Sequence, residues 1–148
     1  FNLSEQIRAC VLLLEEKWSR KELDLDLEFP EYTICANEEL LKQVWINLLD
    51  NAIKYSPNYG EIGVRISEGP ETLAVTITNY GPDIPKDKLN KIWGKFYQAD
   101  ESHSSEGNGI GLAVVKQVVQ LHGGTATVDS GNGSTSFTVE LPKREETA

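Results

Sequence analysis

Asn47, Asn51 and Lys54 follow one another at intervals of four and three residues, so on a helix they share one face, with the two amides a turn apart. The run that holds them, ELLKQVWINLLDNAIKYS from Glu39 to Ser56, has helical periodicity. Leu40, Leu41, Val44, Trp45, Leu48, Leu49, Ala52 and Ile53 make most of its circumference apolar. One narrow polar stripe is left: Gln43, Asn47, Asp50, Asn51 and Lys54. A stripe that only met solvent would be built from Glu, Lys or Gln, because asparagine is a poor helix former. An amide oxygen can ligate a hard cation, and a lysine can reach a phosphate. The same amides could equally form a polar network against a neighbouring strand, and the helix alone leaves the two readings even.

Two further stretches carry chemistry. GNGIGLA, residues 107–113, places Gly107, Gly109 and Gly111 directly before a helix. Such a helix start lets backbone amides approach an anion closely. A dinucleotide-binding fingerprint would need a strand immediately before the glycines; here the polar run QADESHSSE precedes them, and that reading fails. A flexible hinge plus a helix cap explains the glycines almost as well. TNYGPDIP, residues 78–85, leaves a strand through Asn79 and Gly81 and adds an acid at Asp83. Alone it is a strand exit with turn residues.

The elements that must position these groups can be read in order. Ser4 to Arg20 is helical in pattern, with Ile7, Cys10, Val11, Leu14 and Trp18 on one face. LDLDLEF, residues 23–29, alternates as a half-buried strand ending at Pro30, and YTICA, residues 32–36, reads as its hairpin partner. Asn37 caps the long helix, which Ser56-Pro57 closes near Tyr55. Strands follow at 62–67 and 72–78, joined by a tight Glu-Gly-Pro-Glu turn. Residues 86–97 suit short helical turns, and residues 98–108, without a large apolar side chain, suit a mobile surface loop. A helix from Leu112 stops at Gly123-Gly124. The last strands, 125–130 and 135–141, meet through Gly131-Asn132-Gly133, and Lys143 to Ala148 reads as a frayed tail. Strands arriving in pairs favour a layered α+β sandwich over a doubly wound parallel sheet.

With 148 residues, the chain fits one domain with a sizeable core. It opens on Phe1 and contains no Met, as an internal fragment of a longer protein would. A net charge of −9 argues against a nucleic-acid partner, although metal and backbone amides could still carry a single nucleotide. No run approaches the ~18 apolar residues of a membrane helix. Cys10 and Cys35 have no metal-type spacing and suit two buried thiols in a reducing cytosol.

In sequence order, an Asn-rich helix, a strand ending in N-x-G-x-x-I-P, IWGKFYQAD, GNGIGLA and GNGSTSF resemble the catalytic ATP-binding domain of sensor histidine kinases. That domain belongs to the Bergerat-fold group, which includes DNA gyrase and heat-shock chaperones. The resemblance runs from Phe1 to about Pro142, leaving 143–148 as a tail. It implies a two-layer α/β sandwich, with a mixed sheet of about five strands backed by three main helices and ATP held among the helices under a lid. By motif position, Asn51 would coordinate Mg²⁺, with Asn47 beside it. Lys54 would contact phosphate and Tyr55 would line the nucleotide pocket. Asn79 stands where the family has its adenine-recognising Asp, Gly81 would allow close approach to the base, and Ile84 would pack near it. Phe96 would anchor the lid, and Lys95 would share the phosphate charge with Lys54. Gly107, Gly109 and Gly111, with Ile110 and Leu112 among them, would form the lid hinge and phosphate cradle. Gly131 and Gly133 would serve the last hairpin.

In the ATP-hydrolysing relatives a Glu one turn before the metal-binding Asn acts as general base; here that position is Asn47, which cannot take a proton. The resemblance therefore implies a phosphoryl donor whose acceptor histidine lies on a separate dimerisation domain, with a response regulator as an indirect partner. It further implies the cytoplasmic portion of a membrane-bound bacterial sensor kinase, without direct membrane contact. Neither His103 nor His122 has the phosphoacceptor context; His122, just before Gly-Gly, suits a helix C-terminal role. Asn79 for Asp, Asp83 for Gly and Gln98 for Arg depart from the family pattern. A neutral hydrogen bond in place of a charge-assisted one would weaken adenine binding by about tenfold. These departures keep two alternatives in view: a non-catalytic module of the same fold acting through protein contacts, and an anti-sigma-factor-type serine kinase.

Overall fold

The computed structural model describes residues 1–81, Ile92 and residues 111–143. Helix α1 spans Leu3–Leu13 and α2 spans Glu15–Arg20. The pattern predicts one helix over Ser4–Arg20, and its break has a local cause. The Trp18 indole N–H donates to the Val11 carbonyl at 2.9 Å, and the Leu14 amide takes the same oxygen at 3.1 Å. Two donors thus occupy the acceptor that a continuous helix would offer to residue 15. The buried face is still the expected one, with Ile7, Cys10 and Val11 in the core.

Strand β1, Asp24–Asp26, is shorter than the alternation over 23–29, and its partner is β2, Glu61–Glu68, in parallel. Residues 32–36 are not its hairpin partner. The ladder to β2 ends at Asp26, four residues before Pro30, and the segment after that proline binds the N-terminus instead. Leu3 donates to the Tyr32 carbonyl at 2.8 Å and Ile34 to the Phe1 carbonyl at 3.0 Å. Asn2 and Thr33 form an isolated antiparallel bridge between them.

Helix α3 runs over Glu38–Tyr55, as its periodicity predicts. The Asn37 side chain accepts from the Leu40 amide at 3.0 Å, satisfying one orphan donor of the first turn. Leu41, Val44, Trp45, Leu48, Leu49, Ala52 and Ile53 are buried, and the Trp45 indole finds Gln6 Oε1 at 2.7 Å. Strands β3 (Thr72–Tyr80), β4 (Thr125–Gly131) and β5 (Ser134–Pro142) complete a sheet of order β1-β2-β3-β5-β4, antiparallel except at β1. The helices cover one face, so strand alternation sends Leu73, Val75, Ile77 and Asn79 into the core. The result is the expected two-layer α+β sandwich with a mixed five-stranded sheet.

Helix α4, Gly111–Leu121, ends in a Schellman motif, with Gly124 donating to the Val119 carbonyl and Gly123, at φ 74°, to that of Gln120. Asn132 and Gly133 both have positive φ, 56° and 81°, as the two-residue turn between β4 and β5 requires. Lys143, read from sequence as part of a frayed tail, is tied to the β2–β3 hairpin: its amide donates to the Glu71 carbonyl and its ammonium pairs with Glu68 at 2.7 Å. Cys10 is buried but Cys35 is exposed, so the expectation of two buried thiols holds for one. Burial pushes the Cys10 thiol up to about 11. The expected turns at 86–97, apart from the buried Ile92, and the expected loop at 98–108 lie outside the described residues.

Candidate functional site

Along α3, Asn47, Asn51, Lys54 and Tyr55 are all half-buried. Asp50 is drawn off the stripe by Lys17 of α2, whose ammonium lies 2.7 Å from Oδ1. Among the described residues, the side chains of Asn47 and Asn51 make no hydrogen bond. The polar network against a strand, one of the two readings of this stripe, is therefore absent there. Lys54 Nζ sits 5.4 Å from the centroid of the Tyr55 ring, within cation–π range. The C-terminus below it is held by a residue that the sequence did not flag. Lys21 Nζ donates to the carbonyls of Ile53, Lys54 and Ser56 at 2.7, 3.0 and 2.9 Å. A cation on these carbonyls satisfies groups the helix leaves open and complements its dipole.

Asn79 stands near the end of β3 on the core face, only 3% exposed. Its cross-strand neighbours are Ile62 on β2 and Thr135 on β5. Thr135, itself buried, shares a hydrogen bond with Ser130 Oγ at 2.8 Å. Among the described residues, the Asn79 amide makes no hydrogen bond of its own. A buried amide left in this state costs about 1–3 kcal/mol, so it calls for a polar partner. Two residues on, the Gly81 amide donates to the Gly133 carbonyl at 2.9 Å. A Cβ on Gly81 would lie 2.9 Å from the Tyr55 carbonyl oxygen. Packing of the strand end against α3 thus already requires glycine there, independently of any base.

Gly111 opens α4 directly against α3: a Cβ on it would lie 3.2 Å from Asn47 Oδ1. Helix α3 is therefore the common support, touched by Gly111 at Asn47 and by Gly81 at Tyr55. Eight residues separate the two contacts, about 12 Å along the axis, with Asn51 halfway. The structure brings Gly111 to Asn47 and Gly81 to Tyr55 on this one stretch of α3, with Asn51 and Lys54 between them, Asn79 two residues before Gly81 on β3, and Leu112 half-buried and packed on the core. Ile84, Lys95, Phe96, Gly107, Gly109 and Ile110 lie outside the described residues.

Among the described residues, no group of three or more His, Cys, Asp or Glu side chains is placed to hold a metal. Asn51 would supply a single oxygen, which suits a small hard cation that takes its other ligands from phosphate and water. His122 reaches the last turn of α4 as expected, with Nδ1 on the Val118 carbonyl at 2.9 Å, but its Nε2 also accepts from the Asn37 amide at 3.1 Å. The ring thereby joins the end of α4 to the start of α3. Its sequence context, one residue before Gly-Gly, carried no sign of that second bond.

Residues 36–145 match the profile of the family described as histidine kinase-, DNA gyrase B- and HSP90-like ATPase. The heme sensor protein HssS of Staphylococcus saprophyticus is 38% identical over 139 residues, covering 92% of this chain and 30% of that protein. The chain thus spans about a third of the length of such a relative. The solved structure of the mycobacterial sensor histidine kinase MprB superposes with a TM-score of 0.85 at 30% identity, covering 99% of both chains. The histidine kinase ThkA, solved in complex with the response regulator protein TrrA, superposes at 0.83 and 28% identity, over 97% of this chain and 41% of that one. No helix among the described residues is long and apolar enough to cross a membrane. With the helix, strand end and glycine helix start arranged as above, the chain belongs to the family of histidine kinase-, DNA gyrase B- and HSP90-like ATPases, as a catalytic domain of the sensor histidine kinase type.

Proposed function

We propose that this domain binds ATP with Mg²⁺ along the 12 Å stretch of α3 and delivers the terminal phosphoryl group to a histidine on the dimerisation domain of the same kinase. The observation that carries the reading is the buried amide of Asn79, without a hydrogen-bond partner among the described residues, two residues before the glycine that meets Tyr55, with a helix N-terminus against Asn47 at the other end of the stretch. A base satisfies the first and phosphate the second. Gly81 and Tyr55 close the base end. Asn51, midway, offers its amide oxygen to the cation, and Lys54 offers its ammonium to a phosphate oxygen. The cation, when bound, would neutralise charge developing on the phosphates.

Asn47 orients rather than deprotonates, because a carboxamide is no base at neutral pH. The chain's own part is thus positioning and charge stabilisation, and the nucleophile comes from elsewhere. That division fits a donor domain working on a separate acceptor, with a response regulator further along the path. Residues 1–142 would form the working unit, as the cytoplasmic part of a longer sensor kinase.

Calorimetric titration with ATP, with and without Mg²⁺, is the test. Binding that strengthens with Mg²⁺ is expected, and Asn51→Ala should remove the Mg²⁺-dependent part while its circular dichroism stays unchanged. Absence of binding at millimolar nucleotide would instead favour the module that acts through protein contacts.

A further inference from the structure

We infer that the base site at Asn79 is permissive at the purine 6-position, so that 6-oxopurine triphosphates are taken alongside ATP. The inference rests on the placement of the base against Asn79 proposed above. A carboxylate at this point could only accept hydrogen bonds, whereas a carboxamide carries an acceptor oxygen and a two-proton donor on one small plane. The torsion that exchanges them is broad and roughly two-fold, so a neighbour must hold the amide if one face is to be selected. The structure supplies none among the described residues. Ile62, on one side, has no side-chain polar atom, and the hydroxyl of Thr135, on the other, is engaged with Ser130 at 2.8 Å. The Asn79 side chain is 3% exposed and makes no hydrogen bond there.

Turned one way, Oδ1 accepts from the exocyclic amine of adenine. Turned over, Nδ2 donates to the 6-oxo group of hypoxanthine or guanine. Each base then gains one neutral hydrogen bond of similar strength, and each gives the buried amide one partner. Burial makes the choice matter, because a site that could not turn would reject the wrong base through an unsatisfied polar group.

The test is calorimetric titration of the folded domain with ATP, ITP and GTP at fixed Mg²⁺, repeated on Asn79→Asp. ITP differs from ATP at the 6-position and the adjoining ring nitrogen, and GTP adds a 2-amino group. For the native residue, ITP and ATP should bind within about tenfold of each other. Asn79→Asp should tighten ATP and weaken ITP, widening the gap to at least about a hundredfold. GTP weaker than ITP supports the 6-position device and assigns the difference to the 2-amino group. ITP bound more than about a hundredfold more weakly than ATP by the native domain would overturn the inference while leaving ATP binding intact. So would an ATP-to-ITP ratio unmoved by Asn79→Asp. The native ratio decides the matter even if the variant fails to fold. If no triphosphate binds, the base site itself is refuted and this inference with it.

Discussion

A buried amide without a partner is a standing cost to a folded protein, about 1–3 kcal/mol by mutational measure. Asn79 occupies a row that is otherwise Leu73, Val75 and Ile77, so an apolar side chain would continue the core without a break. With a base placed there as proposed, stability and binding would pull in opposite directions at this position. Asn79→Leu should raise the stability of the nucleotide-free domain by about 1 kcal/mol in urea denaturation, because the branching is the same and the loss of the desolvated amide outweighs the cost of the added bulk. The same variant should lose purine binding. A drop in stability would mean that the amide is already satisfied in the free protein. Gly81 is the contrasting case, since its lack of a side chain serves the fold first. Gly81→Ala puts a Cβ 2.9 Å from the Tyr55 carbonyl, and pushing the strand end off α3 should cost about 1–3 kcal/mol, read as a lower urea midpoint at unchanged slope.

At the scale of the element, α3 depends on a cation from outside it. Lys21 gathers three carbonyls at its C-terminus, in the turn that carries Lys54 and Tyr55. Lys21→Met keeps much of the aliphatic length and removes the donor; it should cost about 2 kcal/mol in thermal or urea unfolding. Loosening of Lys54 and Tyr55 should accompany that loss, seen as faster amide exchange in the last turn. The helix itself was legible in the sequence because its signals are local: a 3.6-residue stripe, Asn37 at the start, Ser56-Pro57 at the end. The candidate site was legible for a related reason. Paired amides inside a helix and glycines before one are poor choices for folding alone, so they stand out against structural sequence. What was not legible depended on distant pairing. Nothing near Lys21 signals carbonyls 32 to 35 residues away. The alternation at 32–36 could not say that its partner is the N-terminus rather than β1. Trp18 counted correctly toward the apolar face of the first helix, but its indole N–H also breaks that helix. Thr135 is one strand hydroxyl among many, and only the β3–β5 register places it beside Asn79.

Over the whole molecule, two arginines tie peripheral segments to the body against a net charge of −9. Arg8 of α1 holds Glu31, with Nη1 2.9 Å from Oε2, and Arg65 of β2 holds Asp26 of β1 at 2.6 Å. Hydrogen bonds from these guanidinium groups hold the Glu31 and Asp26 carboxyls below their ordinary values of 4.5 and 3.8. A carboxyl whose value is depressed by folding contributes stability that is present above the unfolded value and lost as pH falls through the folded one. Stability from these pairs should therefore be intact at neutral pH and decline on acidification from about pH 4.5 downward. Both carboxyls are exposed, so salt should screen the effect. Protonation of the other acids relieves self-repulsion over the same range and acts in the opposite sense. The two contributions separate only in a comparison. Thermal unfolding of the native domain and of Arg8→Met/Arg65→Met, followed from pH 7 to pH 3, should show the native domain losing more of its melting temperature than the double variant. The gap between them should close in high salt, since the exposed pairs are screened and the remaining acids are common to both proteins. Parallel acid limbs at low salt would mean that the two arginines hold these edges through the packing of their aliphatic stems alone.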